Sequence, residues 1–257
     1  MLKNGNFMDG WETLPALAEA NYLKNQRPNH WQLEWLNKGD PLYDDPNSKV
    51  NGIPECVHKL SKQLPVDEQL GGARALILDG DTTYKIFSAS AIFGASLSQT
   101  VSGLAPGSQA TLTVPIQVHL RGETDAYGAE SGVWVNGEGG WVNGFDMGDR
   151  QWYRHIITFT VPDSGEAEIV IRVKSKWPKG KDFFFDGLTL EAQMSTTDDG
   201  DGSDEVVVES GGGETAVTGD QVIYVQIPAG FELKTGTSQK ANVIEINVPA
   251  GVSVQSL

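Results

Sequence analysis

The stretch that decides the fold is Ala110–Val114, which reads Ala-Thr-Leu-Thr-Val and whose alternation continues to Leu120. The same alternation returns at Ala167–Val173, which reads Ala-Glu-Ile-Val-Ile-Arg-Val. Successive side chains of a β-strand point to opposite faces of a sheet, so this period of two predicts strands with one buried face. Trp152–Val161 and Phe183–Leu190 carry the same signal and are predicted to be further strands.

Turn residues separate these strands. Ala105–Gly107, Pro162–Gly165 and Pro178–Gly180 each combine proline or glycine with small residues, and the chain holds 30 Gly and 12 Pro. Short strands at regular spacing without amphipathic helices are typical of a sandwich of two antiparallel sheets. The sequence therefore predicts one all-β domain over residues 1–193.

The last quarter of the chain differs in composition. Residues 194–220 are acidic and rich in glycine, which predicts a linker that buries no core. In residues 221–257, Val222–Leu233 is repeated as Val243–Val254, with five of twelve positions identical. Each unit reads as strand, Pro-Ala-Gly bend and strand, and two such units are too small to enclose a core. This segment is predicted to be a small β-repeat tail that associates with copies of itself or with a scaffold protein.

Charge and cysteine content exclude several classes of protein. The chain carries 19 Lys+Arg against 34 Asp+Glu, a net charge of -15, which argues against a nucleic-acid partner. No apolar run approaches the roughly 20 residues that span a bilayer, so membrane insertion is not expected. The single cysteine, Cys56, excludes an internal disulfide framework. The first residues contain no recognisable signal peptide, and we expect a protein at an extracellular or particle surface.

Motifs of catalysis are not found. The histidines do not pair at metal-ligand spacing, and neither a nucleophile elbow nor a phosphate-binding loop occurs. Two carboxylates can hydrolyse a glycoside, but candidates such as Glu55 and Glu68 lie in no pattern that marks this role. The sequence predicts a protein that is not an enzyme.

Aromatic residues suggest a different activity. The chain has seven Trp, most of them in turn-rich stretches. The C–H faces of sugars stack on aromatic rings and their hydroxyls need polar partners, so a sandwich with aromatic residues in its loops is suited to bind glycans. The alternative is that many of these rings belong to the core. The stacking candidates are Trp31, Trp35, Tyr84 and Trp134, and the candidate hydroxyl partners are Glu55, His58 and Lys85.

Three motifs in order along the chain resemble a known family. Asn4–Phe7 followed by Gly10-Trp11, then Ser98–Gly107, then Phe183–Glu191 are similar to the opening, middle and closing strands of carbohydrate-binding modules of the family 4, 9 and 22 group. The resemblance covers residues 1–193. It implies a jelly-roll β-sandwich that binds glycans without cleaving them. It also implies a structural calcium held by the Asn6 carbonyl and the Asp186 carboxylate.

These observations predict a non-catalytic, adhesin-like glycan-binding protein displayed on a larger assembly. The alternative is a structural or decoration protein of a virion, fibre or surface layer, in which the carbohydrate-binding fold serves packing.

Overall fold

The computed structural model describes residues 1–18 and 20–195. The tail 221–257 and nearly all of the linker 194–220 lie outside the described residues, so both stay predictions.

The described elements, in chain order, are β1 Trp11–Thr13, β2 Gln26–Pro28, β3 Gln32–Trp35, β4 Pro41–Leu42, β5 Asp45–Lys49, β6 Glu55–Leu60, two 3₁₀ turns at Ser61–Gln63 and Val66–Glu68, β7 Thr82–Ser88, β8 Phe93–Val101, β9 Gln109–His119, β10 Ala129–Val135, β11 Glu138–Asn143, α1 Gly144–Met147, β12 Trp152–Thr160, β13 Ala167–Ser175, β14 Lys181–Phe185 and β15 Thr189–Glu191.

Two antiparallel sheets build the sandwich. The five-stranded sheet has the order β11-β10-β13-β8-β3, and the six-stranded sheet has the order β12-β9-β14-β7-β6, with β15 also paired to β9. The small hairpins β1-β2 and β4-β5 complete the described strands. The prediction of an all-β sandwich is therefore confirmed.

The core lies between the sheets and follows the period of two that the sequence shows. On β9, Leu112, Val114 and Ile116 are buried, and on β13 the residues Ile169 and Ile171 are buried opposite them. Their neighbours along each strand point to the outer faces of the sandwich. The outer face of each sheet is thus the surface on which a ligand can lie.

Part of each outer face is covered by a connection of the chain. On the six-stranded sheet, the Trp152 Nε1 donates to the Ala75 carbonyl at 2.8 Å, and Leu76 and Ile77 are buried. On the five-stranded sheet, the hairpin β4-β5 lies over Gly94, where an added Cβ would come within 2.9 Å of the Tyr43 ring. The connections therefore leave only portions of the two outer faces open.

One end of the sandwich collects several connections, and we call it the loop end. Glu55 pairs with Phe87, Ser88 pairs with Lys181, and Asp182 pairs with His119, so the adjoining loops meet there. These loops are residues 50–54, 89–92, 120–128 and 176–180. Within the described ranges, no helix is long and apolar enough to cross a membrane.

Candidate functional site

A cleft of about 570 Å³ opens at the loop end. Its walls come from the connection between β1 and β2, from the loop before β6 and from the turn between β7 and β8. It is lined by Ala20, Tyr22, Leu23, Lys38, Glu55, Phe87 and the loop residues 51–53 and 88–91.

Local hydrogen bonds fix the shape of the two loop walls. The Ser88 hydroxyl oxygen accepts from the backbone N–H groups of Ser90 and Ala91, which closes the turn after β7. The Asn51 side-chain oxygen accepts from Ile92 N at 2.8 Å, and Asn51 N donates back to the Ile92 carbonyl at 3.1 Å. The turn and the loop before β6 are therefore tied together, and the cleft is preformed.

Aromatic and polar groups meet in this cleft. Tyr22 is 79 % exposed at the rim, and Phe87 is half-buried on β7. Lys38 and Glu55 are the charged side chains among the described lining residues, one of each sign. Such a lining suits an uncharged polar molecule better than an anion or a cation.

A row of side chains continues from the cleft across the outer face of the six-stranded sheet. In register, Glu55 lies beside Phe87, Phe87 beside Asp182 and Asp182 beside His119. Lys85 connects the row, because its Nζ lies 3.9 Å from the Phe87 ring centroid and 3.2 Å from Asp182 Oδ1. Side chains that are neighbours on one face of a sheet interact, so the cleft and the row form one surface.

The Asp182 carboxylate anchors this row. It is buried and is paired with Lys85 and with Arg121, whose Nε donates to Oδ2 at 3.0 Å, and His119 Nδ1 lies 3.8 Å from Oδ2. Burial lowers the pKa of Lys85, and the Asp182 charge opposes this shift. Burial also lowers the pKa of His119 to about 4, so its imidazole is neutral at pH 7. Arg121 is the most exposed cation of the row.

Glu55 and Lys85 are the predicted site residues that the structure brings together. They lie on the neighbouring strands β6 and β7 and point to the same outer face, since Glu55 pairs with Phe87 and Val57 pairs with Lys85. Glu55 lines the cleft itself. Their proximity depends on the pairing of β6 with β7, which the sequence does not reveal.

Trp31, Tyr84 and His58 lie in the core, and the predictions that they contact a sugar are corrected. Trp31 is 2 % exposed and its Nε1 donates to the Asn4 carbonyl, while Tyr84 is fully buried and donates to the Gln26 carbonyl at 2.7 Å. His58 is buried on the core side of β6, and its ring stacks on the indole of Trp11. A ring without an exposed face cannot stack on a ligand.

Trp35 and Trp134 lie on the five-stranded sheet, away from the cleft. Trp35 packs against the core. Trp134 is half-buried on the outer face, with the Arg172 guanidinium 5.1 Å from its ring centroid and Trp141 in edge contact at 5.0 Å. The Trp134 ring already has protein partners, so the structure does not place it in a common site with Glu55 and Lys85.

Sequence reasoning missed Tyr22, Phe87, Asp182 and Arg121. Phe87 carried a signal, because it follows Lys85 by two residues in an alternating strand and must share its face. Tyr22 carried none, since it lies in an irregular connection that is adjacent to the cleft only through tertiary structure.

The predicted calcium ligands lie where the first and last strand segments meet, but their surroundings do not fit a cation. Asp186 Oδ2 accepts from the backbone N–H groups of Leu78 and Asp79, and Oδ1 accepts from Gly187 N. Burial raises the pKa of Asp186 to about 7, although these three hydrogen bonds act in the opposite direction and lower it. The side chain of Asn6 donates to Asp79 Oδ2. A calcium ion needs six to eight oxygens that face a common point, whereas Asp186 faces amide hydrogens.

The described residues also contain no group of three or more His, Cys, Asp and Glu side chains that could hold a metal. The Asp186 carboxylate instead joins the segment 78–79 to the turn after β14. Calcium binding stays an untested prediction.

Comparisons with known proteins return solved structures with a similar sandwich. No family model matches the chain, and no curated protein is significantly similar to it. The carbohydrate-binding module TmCBM61, solved in complex with β-1,4-galactotriose, is 15 % identical with a TM-score of 0.46, over 75 % of this chain and 97 % of that chain. A carbohydrate-binding module from the β-sandwich superfamily, described for its promiscuous specificity, is 14 % identical with a TM-score of 0.38, over 72 % and 60 %.

The enzymatically active domain of tailspike protein 4 from bacteriophage CBA120 is 12 % identical, with a TM-score of 0.41. The match covers 64 % of this chain and 19 % of that chain. The similar solved structures include carbohydrate-binding modules, the class that the three sequence motifs resemble.

Proposed function

We propose that this protein binds a glycan without cleaving it, in an adhesin-like role, and that the cleft at the loop end is its binding site. The observation that carries the proposal is the exposed Tyr22 ring at the rim of a preformed cleft that also presents Phe87, Glu55 and Asn51. An aromatic ring beside side chains with planar polar groups is the arrangement that sugar recognition requires.

The size and charge of the cleft support an oligosaccharide as ligand. Its volume of about 570 Å³ lies within the range of ordinary small-molecule sites. The lining carries one cation and one anion, Lys38 and Glu55, so a neutral sugar meets no unbalanced charge. The serine hydroxyls and backbone groups of the turn 88–91 add hydrogen-bonding partners for sugar hydroxyls.

The carboxylate content of the described cleft lining fits binding without hydrolysis. Glycoside hydrolysis uses a pair of carboxylates on either side of the scissile bond. Glu55 is the one carboxylate among the described residues that line the cleft. Asp182, farther along the row, is buried and is held by Lys85 and Arg121.

A glycan array probed with the full-length protein tests this function. The array should include β-1,4-galacto-oligosaccharides, which one of the similar modules binds, together with xylo- and cello-oligosaccharides. We expect binding that Tyr22→Ala weakens by about 1–3 kcal/mol, the range of an aromatic anchor, and that Glu55→Gln also weakens.

Phe145→Ala is the matched control, because Phe145 is an exposed aromatic residue outside the cleft. Failure of the wild-type protein to bind any glycan on the array refutes the proposal. If Tyr22→Ala and Phe145→Ala lose the same amount of affinity, the loss is not specific to the cleft, and the cleft is not the binding site.

A second candidate is a structural or decoration protein of a virion, fibre or surface layer. It is favoured by the connection 61–80, whose residue Ala75 is held by Trp152 of β12 and Gln117 of β9, so that this part of the outer face is closed and serves packing. The apolar repeat in 221–257 would join the sandwich to copies of itself or to a scaffold at an extracellular or particle surface. Deletion of residues 194–257 should then abolish oligomer formation in light scattering, and an unchanged oligomeric state would contradict this role.

A further inference from the structure

Two large aromatic side chains outside the cleft are left in water at the loop end. Tyr127 is 58 % exposed in the loop between β9 and β10, and Trp177 is 39 % exposed in the loop between β13 and β14. Exposed aromatic rings on a rigid surface commonly anchor ligands, since they bury much area at a small cost in conformational entropy.

Backbone pairing brings the two rings to the same place. Ala129 and Ser175 form the last pair between β10 and β13. Beyond it, Lys176 N donates to the Gly128 carbonyl at 3.0 Å, which holds the two loops together. Tyr127 precedes Gly128 and Trp177 follows Lys176, so the two aromatic residues flank this hydrogen bond.

A buried acidic side chain makes the loop of Tyr127 rigid. Glu123 accepts from the backbone N–H groups of Thr124 and Asp125, and its Oε2 lies 3.2 Å from the Nζ of the fully buried Lys181. Asp125 in turn accepts from Tyr127 N at 2.7 Å. The backbone position of Tyr127 is therefore set before any ligand arrives.

The loop of Trp177 is held in a similar way and carries polar groups. The Ser175 hydroxyl donates to the Trp177 carbonyl at 3.0 Å, and the Lys176 ammonium lies 2.9 Å from Asp45 Oδ2. Lys179, two residues after Trp177, is half-exposed and lies 3.8 Å from Glu123. The rings thus have nearby donors for hydroxyl groups, as the cleft has.

The loop that carries Trp177 touches the wall of the cleft. A Cβ added to Gly180 would lie 3.2 Å from the Ala89 carbonyl and 2.9 Å from Arg121 Cδ. Ala89 lines the cleft, and Gly180 belongs to the loop that carries Trp177. The turn 88–91 therefore has the cleft on one side and the Trp177 loop on the other.

We propose that Tyr127 and Trp177 form a second carbohydrate subsite, which binds the distal units of an oligosaccharide whose first units occupy the cleft. This inference rests on the proposed function of the cleft. It assigns the site to chains of several sugar units, because a single unit in the cleft does not cross the turn 88–91. The sugar units in the cleft hold the distal units of the same chain close to the subsite. The subsite therefore raises the affinity for the whole oligosaccharide although the contacts in the cleft do not change.

Chain-length dependence tests the subsite. The full-length protein is titrated with β-1,4-galacto-, xylo- and cello-oligosaccharides from the dimer to the hexamer. We expect the affinity for the bound series to rise with length. Tyr127→Ala and Trp177→Ala should each remove at least about fivefold of the affinity for the longest chain and leave that for the dimer unchanged. Tyr22→Ala should weaken both.

Matched variants keep the two proposals distinguishable. Tyr127→Phe retains the ring and should retain the affinity for long chains, and Phe145→Ala should change neither length. Two outcomes overturn the second subsite alone. In the first, short chains bind and the longest chain binds no more tightly. In the second, the gain in affinity with length survives in Tyr127→Ala and Trp177→Ala. A protein that binds none of the three series at any length overturns both the cleft and the subsite.

Discussion

The molecule has two aromatic-rich regions with opposite surroundings. The buried cluster joins Phe7 to Tyr84 at 5.3 Å and to Trp31 at 6.4 Å, inside the sandwich. The rim of the loop end instead presents Tyr22 and Tyr127 to water. The same residue types therefore stabilise the fold in one region and offer ligand contacts in the other, and the difference lies in what covers the rings.

The N-terminal segment is what closes the buried cluster. Asn4, whose positive φ of 51° places it in the left-handed region, donates from its side chain to the Asn29 carbonyl and accepts from Asp9 N. Its own carbonyl accepts from the Trp31 indole. These bonds fold the segment over the sheet edge and bury Phe7. Among the residues that the structure describes, no such segment lies over the exposed rings of the loop end.

Replacement of a ring in the buried cluster should have the largest effect. We expect Trp31→Ala to lower the free energy of unfolding by about 3–5 kcal/mol, because it leaves a cavity and removes the hydrogen bond from the indole to the Asn4 carbonyl. Urea denaturation measures the change. Tyr22→Ala, at an exposed position, should stay within about 0.5 kcal/mol of the wild type. A loss below 1 kcal/mol in Trp31→Ala, roughly that of a surface change, would contradict the assignment of Trp31 to the core.

Acid should weaken the buried cluster through His58. Burial lowers its pKa to about 4 in the folded state, below the ordinary value of 6.5. The unfolded chain therefore takes up the proton first as the pH falls through 6.5, and the free energy of unfolding decreases down to about pH 4. At pH 4.5 this costs about 2–3 kcal/mol.

His58→Leu should flatten the dependence of stability on pH between 7 and 4.5 by that amount. Parallel curves for wild type and His58→Leu would show that His58 is not held neutral by its surroundings.

Asp186 lies in a turn that contacts the buried cluster. Two residues after it, Leu188 N donates to the carbonyl of Gly5, which precedes Phe7 by two residues. Asp186→Ala leaves three backbone N–H groups without their acceptor and should lower the free energy of unfolding by about 1–3 kcal/mol. Chelation of the wild type should leave the melting temperature unchanged, because amide hydrogens already satisfy this carboxylate. A melting temperature that falls with chelator would restore the calcium predicted from the sequence.

Trp134 lies between the two extremes, and its replacement should change stability less than Trp31→Ala and more than Tyr22→Ala. Its ring is half-buried and contacts Arg172, so Trp134→Ala should lower the free energy of unfolding by about 1–2 kcal/mol through loss of packing and of the cation–π contact. The same variant should bind glycans as the wild type does. Loss of glycan binding with an unchanged melting temperature would move the site to the five-stranded sheet.

The strands of the sandwich were predictable because their signal is local. The alternation in Ala110–Val114 and Ala167–Val173 fixes which residues face inward, and the structure buries Leu112, Val114 and Ile171 accordingly. The turns at proline and glycine were equally visible. Such patterns depend only on the geometry of one strand.

The candidate site was predictable only in part. Glu55 and Lys85 were named from their residue types, and the structure places them on paired strands beside the cleft. Tyr22 was missed and Trp31 was misplaced, although both are aromatic residues in irregular stretches. No local pattern distinguishes a ring in a loop that folds inward from one that points to water.

By itself, the sequence determined the all-β class, the strand faces and the charge that argues against nucleic acid. The tertiary structure alone decided which aromatic residues remain exposed and which loops share the loop end. The physical reason is that burial depends on contacts between residues far apart in the chain. Trp31 is covered by Asn4 and Phe7, and the cleft joins residue 22 to residues 51–55 and 87–91.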